Sequence, residues 1–249
     1  MAGQRKQQGQ GSVEFLVIFV LFLALLGGVF EMTRVFRTKN TLNTATFAAA
    51  RVGALNNARL APMNAELAND MASLFAADAN SAGETETALE RARAFATALR
   101  AAGGGVQIVS PTRAVFAQLH KTQFVPNAND TALRKIEVIP NDNLRARAGT
   151  AASFKVDGDV HKINLQDANL LKIRTLWCKR LVVPALDAVI FAIVNAVPYL
   201  NARQQVCSDI SGGENGGEGG AGVVDGYYIA ITSQATIRMQ TPVVENDLP

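Results

Sequence analysis

A single carboxylate at the start of an apolar run is the feature of this sequence that most directly indicates chemistry. Glu14 follows a short basic leader and precedes an uncharged block that extends from Phe15 to Phe30. An ionised side chain inside a hydrocarbon layer costs about 2.5–3.5 kcal/mol or more, so such a residue is a functional candidate by default. Gly9 lies directly before Gln10, and Glu14 is the fifth residue of a chain that begins at Gln10.

Other residues that commonly carry catalysis or bind metals are scarce. The histidines are His120 and His161, and neither has Cys, Asp or Glu neighbours at metal-ligand spacing. The motifs Gly-x-Ser-x-Gly and His-Glu-x-x-His are absent, as is a Gly-Lys-Ser/Thr phosphate loop. The formal net charge of +3 is too small, and the basic residues too scattered, to indicate nucleic-acid binding. We therefore expect no catalytic site, no metal, no cofactor and no nucleic-acid partner.

The apolar block is long enough to suggest a membrane span. Phe15–Phe30 carries no charge and no proline, and with Val13 it approaches the roughly 20 residues that cross a bilayer. A secretory signal peptide would need a small-residue cleavage site after this block, and Gly27-Gly28 is a poor one. A plain signal anchor explains the apolar run but gives no reason for Glu14. Basic residues flank both ends, so the charge pattern does not assign an orientation.

A helical pattern continues past the apolar block. Apolar residues recur at helical spacing at Val35, Leu42, Ala45, Ala49 and Val52. Polar residues occupy the other faces, and no proline occurs before Pro62. The pattern predicts one helix from about Ser12 to about Ala58, on the order of 65–70 Å long at 1.5 Å per residue. We expect its first part to cross a membrane and its outer part to pack on the domain that follows.

Three motifs in this region are similar to those of one known family. They are GQGSVEF at residues 9–15, Phe30–Arg34 with its acidic Glu31, and Leu42–Arg51, which ends in Ala-Ala-Arg. Together they resemble a TadE-like pseudopilin, or minor pilin, of the tight-adherence (Flp) pilus system. The basic leader, the glycine and the glutamate also resemble a type IV prepilin signal. The resemblance covers residues 9–55, and weaker similarity follows at 139–144 and 167–174.

The resemblance implies processing, partners and a location. A prepilin peptidase would cleave after Gly9 at the cytoplasmic face and leave Gln10 as the new N-terminus. Glu14 would then neutralise the terminal amine of a neighbouring subunit in a bundle of stacked helices, where an unpaired charge is unfavourable. The implied partners are other pilins or pseudopilins, the peptidase, the pilus assembly platform and the bacterial inner membrane. The protein would be single-pass, with a cytoplasmic N-terminus and a periplasmic C-terminal domain, until it enters an extracellular pilus.

The remainder of the chain predicts an α+β fold with a mainly antiparallel sheet. One helix is expected around Glu66–Ala77, and a second after a capping box at Ser81, ending at Gly103. The expected strands are Val106–Val109, Ile136–Ile139, Phe154–Val156 and Val160 across an Asp-Gly turn, Leu171–Trp177, and Ile229–Met239. The outer part of the first helix should cover one face of the sheet.

Two later segments differ from this pattern. Leu181–Val197 is apolar but contains Pro184, Asp187 and Asn195. It is predicted to be a buried or interfacial helix, with a second membrane span as the alternative. Residues 211–226 are rich in Gly and Glu and are predicted to form a flexible loop.

Two cysteines, Cys178 and Cys207, are too few for a disulfide framework, and their spacing matches no zinc or redox motif. In an exported domain, oxidation would favour a bond between them. Such a bond would close a loop of about 30 residues and contribute ~3–4 kcal/mol on the chain-entropy model. Two buried thiols are the alternative.

These patterns divide the chain into four parts: a leader at 1–9, an N-terminal helix at 10–58, a helical segment at 59–104 and an outer domain at 105–249. The transmembrane part of the helix is expected at residues 13–30. The function indicated is that of a minor pilin or pseudopilin in the assembly of a Flp-type pilus. The alternative is a signal-anchored envelope protein whose periplasmic domain binds a cell-envelope or secretion-system partner.

Overall fold

A computed structural model describes residues 10–75, 82–126, 133–145, 149, 151–156, 159–198, 201–210 and 226–249. The fold is α+β, as predicted, with a long N-terminal helix followed by antiparallel sheets and shorter helices. The helices are α1 (Gln10–Leu55), α2 (Leu60–Met71), α3 (Ala82–Ala101), α4 (Arg113–Leu119), α5 (Leu165–Ala168), α6 (Leu186–Asn195) and α7 (Asn201–Ile210). The strands are β1 (Gly105–Ser110), β2 (Lys121–Pro126), β3 (Leu133–Ile139), β4 (Ala151–Val156), β5 (Asp159–Asn164), β6 (Leu170–Arg180), β7 (Tyr228–Arg238) and β8 (Val243–Val244).

The strands pair in three antiparallel groups. The main sheet has the order β1-β6-β7, a second sheet has the order β2-β3-β8, and β4 and β5 form a hairpin. The central strand β6 pairs with β7 along its whole length, from Leu170 opposite Arg238 to Arg180 opposite Tyr228. The alternation of apolar and polar residues in these two strands predicts both of them, because successive side chains point to opposite faces of a sheet.

The outer half of α1 packs on the main sheet and forms part of its core. Leu42, Ala45 and Ala49 are fully buried, and the small alanines let the helix backbone approach the strands. At Gly53 the helix backbone also lies close to α2 and β6, because an added Cβ would be 2.4 Å from Met63 Sδ and 2.9 Å from Leu171 Cδ2. The predicted arrangement, in which the first helix covers one sheet face, is therefore present.

The segment that follows β7 caps the C-terminal end of α1. The carbonyl oxygen of Ala54 accepts hydrogen bonds from the backbone N–H groups of Gln240 and Thr241, each at 3.1 Å. The Thr241 hydroxyl also donates to this oxygen, at 3.0 Å. Carbonyl groups in the last turn of a helix lack partners within the helix, so these contacts satisfy one that would otherwise be unpaired in the core.

Several elements differ from the sequence expectation. The helix expected around Glu66–Ala77 is α2, which begins earlier, at Leu60. Pro62 lies in its first turn, where a missing N–H costs little because those groups have no intrahelical partner. The elements α4, α5, α7, β2 and β8 were not predicted. Ser81, the Asp157-Gly158 turn and residues 211–225 of the expected loop lie outside the described residues.

Candidate membrane-anchor and assembly site

The inner half of α1, from Glu14 to Phe30, has an apolar surface that the described residues leave mostly uncovered. Leu16, Ile18 and Leu21 are each exposed by more than 60%. Within the described ranges, α1 is the one helix that is long and apolar enough to cross a membrane. An exposed apolar surface of this extent marks contact with lipid or with other proteins, because water solvates it poorly. The surface fits a single-pass membrane anchor.

Gln10 and Glu14, two of the predicted processing and assembly residues, lie in the first turns of α1. Gln10 is the first residue of α1, whereas Gly9 lies outside the described residues. Glu14 follows Gln10 by four residues, or about 6 Å along the helix axis, and its side chain is exposed on the helix surface. The geometry therefore presents the Glu14 carboxylate outward, next to Phe15, rather than toward the chain's own outer domain.

A second carboxylate, Glu31, joins the anchor to the outer domain. Its side chain is only 1% exposed, and its Oε1 atom accepts hydrogen bonds from the backbone N–H groups of Val182 and Val183, the latter at 2.9 Å. Its Oε2 atom is buried and has no hydrogen-bond partner among the described residues. Sequence reasoning named Glu31 only within the family motif and did not predict it as a site residue. The sequence feature that could have identified Glu31 is its position as the first charged residue after the apolar block.

Lys179 is the centre of a group of charged residues that includes Glu31, Arg34 and Arg180. Arg34 lies one turn further along α1, with its guanidinium 5.7 Å from the centroid of the Phe30 ring. Lys179 in β6 is partly buried. Burial, together with the positive charges of Arg34 and Arg180, lowers the pKa of Lys179 to about 8, although Glu31 opposes the shift. The end of the apolar block is therefore followed by a compact cluster of one acid and three bases.

Polar side chains connect the next two turns of α1 to the main sheet. The Lys39 ammonium donates to the backbone oxygen of Thr232 in β7. The Ser233 hydroxyl donates to Asn43 Oδ1 at 2.9 Å. Further along the helix, the hydroxyls of Thr46 and Thr175 form a buried hydrogen bond of 2.6 Å. These contacts fix the rotation of α1 about its axis, because each one uses the helix face that is directed at the strands.

The helix α7 is attached to the main sheet by a covalent bond and by a side-chain amide. Cys178 in β6 is bonded to Cys207 in α7, with the two Cα atoms 5.5 Å apart. The Gln204 side chain donates to the backbone oxygen of Tyr228 at 2.6 Å and accepts from the N–H of Ala230 at 3.0 Å. Gln204 thereby satisfies backbone groups at the free edge of β7, where unpaired groups would invite another strand.

The two histidines lie far from this region in different settings. The His120 ring stacks on Phe116, with ring centroids 5.5 Å apart, and its Nε2 atom lies 3.9 Å from a Glu137 carboxylate oxygen. His161 is exposed on β5, opposite Phe154. Among the residues that the structure describes, no three His, Cys, Asp or Glu side chains are grouped as metal ligands would be.

A long helix with an exposed apolar half that continues into the core of a small α+β domain fits the class of membrane-anchored proteins. Residues 9–51 match the family model described as TadE-like protein. The N-terminal region is therefore TadE-like, as the sequence motifs indicate, and the match covers less than a fifth of the 249 residues. No curated protein and no solved structure matches the chain.

Proposed function

We propose that this protein is a minor pilin or pseudopilin that takes part in the assembly of a tight-adherence (Flp-type) pilus. The observation that carries the proposal is that the TadE-like match, at residues 9–51, coincides with the helix whose inner half is apolar and uncovered. A bundle of such helices buries these surfaces against one another in a pilus, and lipid covers them before assembly. In this proposal the outer domain is structural and not catalytic.

The proposed pathway begins with removal of the leader. A prepilin peptidase cleaves after Gly9, and the mature chain begins at Gln10, the first residue of α1. The N-terminus is cytoplasmic at that stage, and the outer domain is periplasmic. The Cys178–Cys207 bond supports this orientation, because disulfides persist in the periplasm and are reduced in the cytosol.

Intact mass and N-terminal sequencing test the pathway. The protein is extracted from membranes of cells with and without the prepilin peptidase. We expect a start at Gln10 that depends on the peptidase. A start at Met1 or Ala2 in both samples would identify a plain signal anchor, and a start beyond Gly28 would identify a secreted protein.

Glu14 is the proposed assembly carboxylate, paired with the terminal amine of a neighbouring subunit. Loss of one partner from a buried ion pair leaves an uncompensated charge and costs about 3–5 kcal/mol. We therefore expect Glu14→Ala to reduce incorporation into pili by about ten-fold or more, with membrane insertion unchanged. The measurement is the ratio of this protein in sheared pili to that in membranes. The matched control is Glu90→Ala, which removes an exposed carboxylate from α3. Normal incorporation of the Glu14 variant would contradict this role.

Crosslinking separates the proposal from the alternative of a signal-anchored envelope protein. A photocrosslinker is placed at Leu16 on α1 or at Phe124 on β2, which are both more than 60% exposed. A pilin should form crosslinks to other pilins from Leu16. An envelope binder should form its specific crosslinks from Phe124 and none to pilins from Leu16.

A further inference from the structure

The helix α6 carries an apolar surface that nothing in the described part of the chain covers. None of its ten residues is buried, and Val189 and Ile193 are 53% and 62% exposed. These two residues are four positions apart and therefore lie on one helix face. The opposite face contacts the outer domain, where the ring of Phe191 lies 5.0 Å from that of Tyr227. The chain carries no charged side chain from Ala188 to Ala202.

Two contacts fix the position of α6 along the membrane anchor. Its first residue, Leu186, lies against Gly27, where an added Cβ would be 2.8 Å from Leu186 Cδ1. One turn later, Glu31 binds the backbone of Val182 and Val183, just before α6 begins. Gly27 is three residues inside the end of the apolar block at Phe30, which corresponds to about 4.5 Å along the helix axis. The start of α6 is therefore at the depth where the apolar block ends.

From these observations we infer that α6 lies in the membrane–water interface, with its Val189–Ile193 face in contact with the acyl chains of the outer leaflet. Interfacial helices bury their apolar face about 5–10 Å into the boundary between headgroups and acyl chains, which agrees with the depth of Leu186. Ten residues extend only about 15 Å, half of the ~30 Å hydrocarbon thickness, so α6 does not span the bilayer. The inference rests on α1 crossing the bilayer, as the proposed function requires.

The charges next to α6 are suited to this surface. Lys179 interacts electrostatically with Glu31, Arg34 and Arg180, and these four residues form a cluster next to the end of the apolar block with a formal charge of three minus one, or +2. Phospholipid phosphates lie at this level and attract basic side chains whose stems pass along apolar surface. The partly exposed Tyr227 is an aromatic residue of the kind enriched at membrane interfaces. The outer domain would thus contact the bilayer surface through α6 in addition to being anchored by α1.

Depth-dependent quenching in single-copy nanodiscs tests the inference with the full-length protein. A fluorescent label is attached at Ile193→Cys, and the lipid carries a nitroxide near the top of its acyl chain. The native cysteines are bonded to each other and do not react. Val20→Cys on α1 is the control for insertion, and Val160→Cys on β5 is the control for an exposed apolar residue away from the membrane.

We expect quenching at position 193 within about two-fold of that at position 20, and about five-fold above that at position 160. Quenching at 193 as low as at 160, with normal quenching at 20, would overturn the inference and leave the anchor intact. Absence of quenching at position 20 would contradict the assignment of α1 as a membrane anchor. The same label can be measured in nanodiscs that hold several copies of the protein. If position 193 becomes shielded from water only there, this face binds a second subunit, and that result would also overturn the inference.

Discussion

At the scale of single residues, the two glutamates of α1 have opposite environments. Glu14 is exposed on the inner half of the helix, whereas Glu31 is buried and hydrogen-bonded to the backbone of Val182 and Val183. The first carboxylate lies on the exposed surface of the anchor, and the second binds the backbone of its own chain. The same residue type thus has an assembly role in our proposal at one end of the apolar block, and a positioning role in the structure at the other.

Replacement of Glu31 should destabilise the outer domain. In Glu31→Ala two backbone N–H groups lose their acceptor, and an unsatisfied buried donor costs about 1–3 kcal/mol. We expect the free energy of unfolding to fall by about 2–3 kcal/mol, measured by urea unfolding in detergent with Trp177 as the probe. Glu31→Gln retains an acceptor oxygen and should cost less.

The matched control for this prediction is Glu245→Ala, which removes an exposed carboxylate 3.8 Å from Arg113. Exposed ion pairs contribute little, so the control should change the free energy of unfolding by less than about 1 kcal/mol. Equal effects of the two alanine variants would contradict the role assigned to Glu31.

Lys179 makes the stability of the outer domain depend on pH. Its pKa is lowered to about 8 in the folded protein, from 10.5 for the unperturbed group, mainly by burial. Between these two values the unfolded state binds more protons than the folded state, so the free energy of unfolding rises with pH across this window. Below about 8 both states are protonated, and the unfavourable effect of burying the charge is fully present.

The measurement is the difference in urea midpoint between the wild type and Lys179→Gln on either side of that window. The stability of the wild type relative to the variant should increase as the pH is raised from 8 toward 10.5. The variant supplies the control, because every other titrating group is common to both proteins. A constant difference across the window would show that Lys179 titrates normally.

At the scale of elements, α1 combines two kinds of contact surface in one uninterrupted helix. Its inner half is mostly exposed and meets the start of α6 near Gly27, and its outer half packs against β6, β7 and α2. Close packing in the outer half depends on small residues, and Gly53 is the tightest point.

The substitution Gly53→Ala should therefore destabilise the protein despite the higher helix propensity of alanine. The new methyl group would lie 2.4 Å from Met63 Sδ and 2.9 Å from Leu171 Cδ2, and both of these residues are fully buried. Overpacking typically costs about 1–3 kcal/mol, and the gain in propensity offsets about 1 kcal/mol of it. We expect a net loss of up to about 2 kcal/mol in chemical denaturation.

The control is Gly28→Ala, because an added Cβ at Gly28 meets no atom within 4 Å. That variant adds helix propensity without a clash, so it should leave the free energy of unfolding unchanged or raise it by up to about 1 kcal/mol. Similar destabilisation by both alanines would attribute the effect to something other than packing at Gly53.

The sequence predicted those elements whose residues show a regular pattern. The strand β7 places Ile231, Ala235 and Ile237 on one face and polar residues on the other, and the outer half of α1 repeats alanines at helical spacing. The helix α7 has no comparable pattern, because its position depends on Gln204 at the edge of β7 and on Cys207. Glu31 was missed as a site residue for a related reason: its partners, Val182 and Val183, are about 150 residues away in sequence. Contacts of this range leave no local pattern.

At the scale of the whole molecule, the disulfide connects the main sheet to the segment before β7. The bond between Cys178 and Cys207 closes a loop with a sequence separation of 29 residues, and both cysteines are almost fully buried. A loop of this length corresponds to about 3–4 kcal/mol on the chain-entropy model.

The double variant Cys178→Ala/Cys207→Ala should lower the free energy of unfolding by about 2–4 kcal/mol. Alanine avoids burying a new polar group, so the effect reports mainly the lost cross-link. Thermal unfolding of the reduced wild type provides the control and should show a similar loss. An unchanged melting temperature in both would show that the bond does not constrain the unfolded chain.

The glycine pair in α1 has a mechanical consequence for the whole molecule. Gly27 and Gly28 weaken the helix by about 1 kcal/mol each relative to alanine, and long helices tend to kink at such pairs. In this protein the glycine pair is supported by the start of α6. Leu186 lies against Gly27, and Glu31, one turn after Gly27 in α1, binds the backbone of Val182 and Val183 before α6. To bend there, α1 must break its contacts with the outer domain. When the anchor tilts in the membrane, the main sheet should therefore rotate with it as one rigid unit.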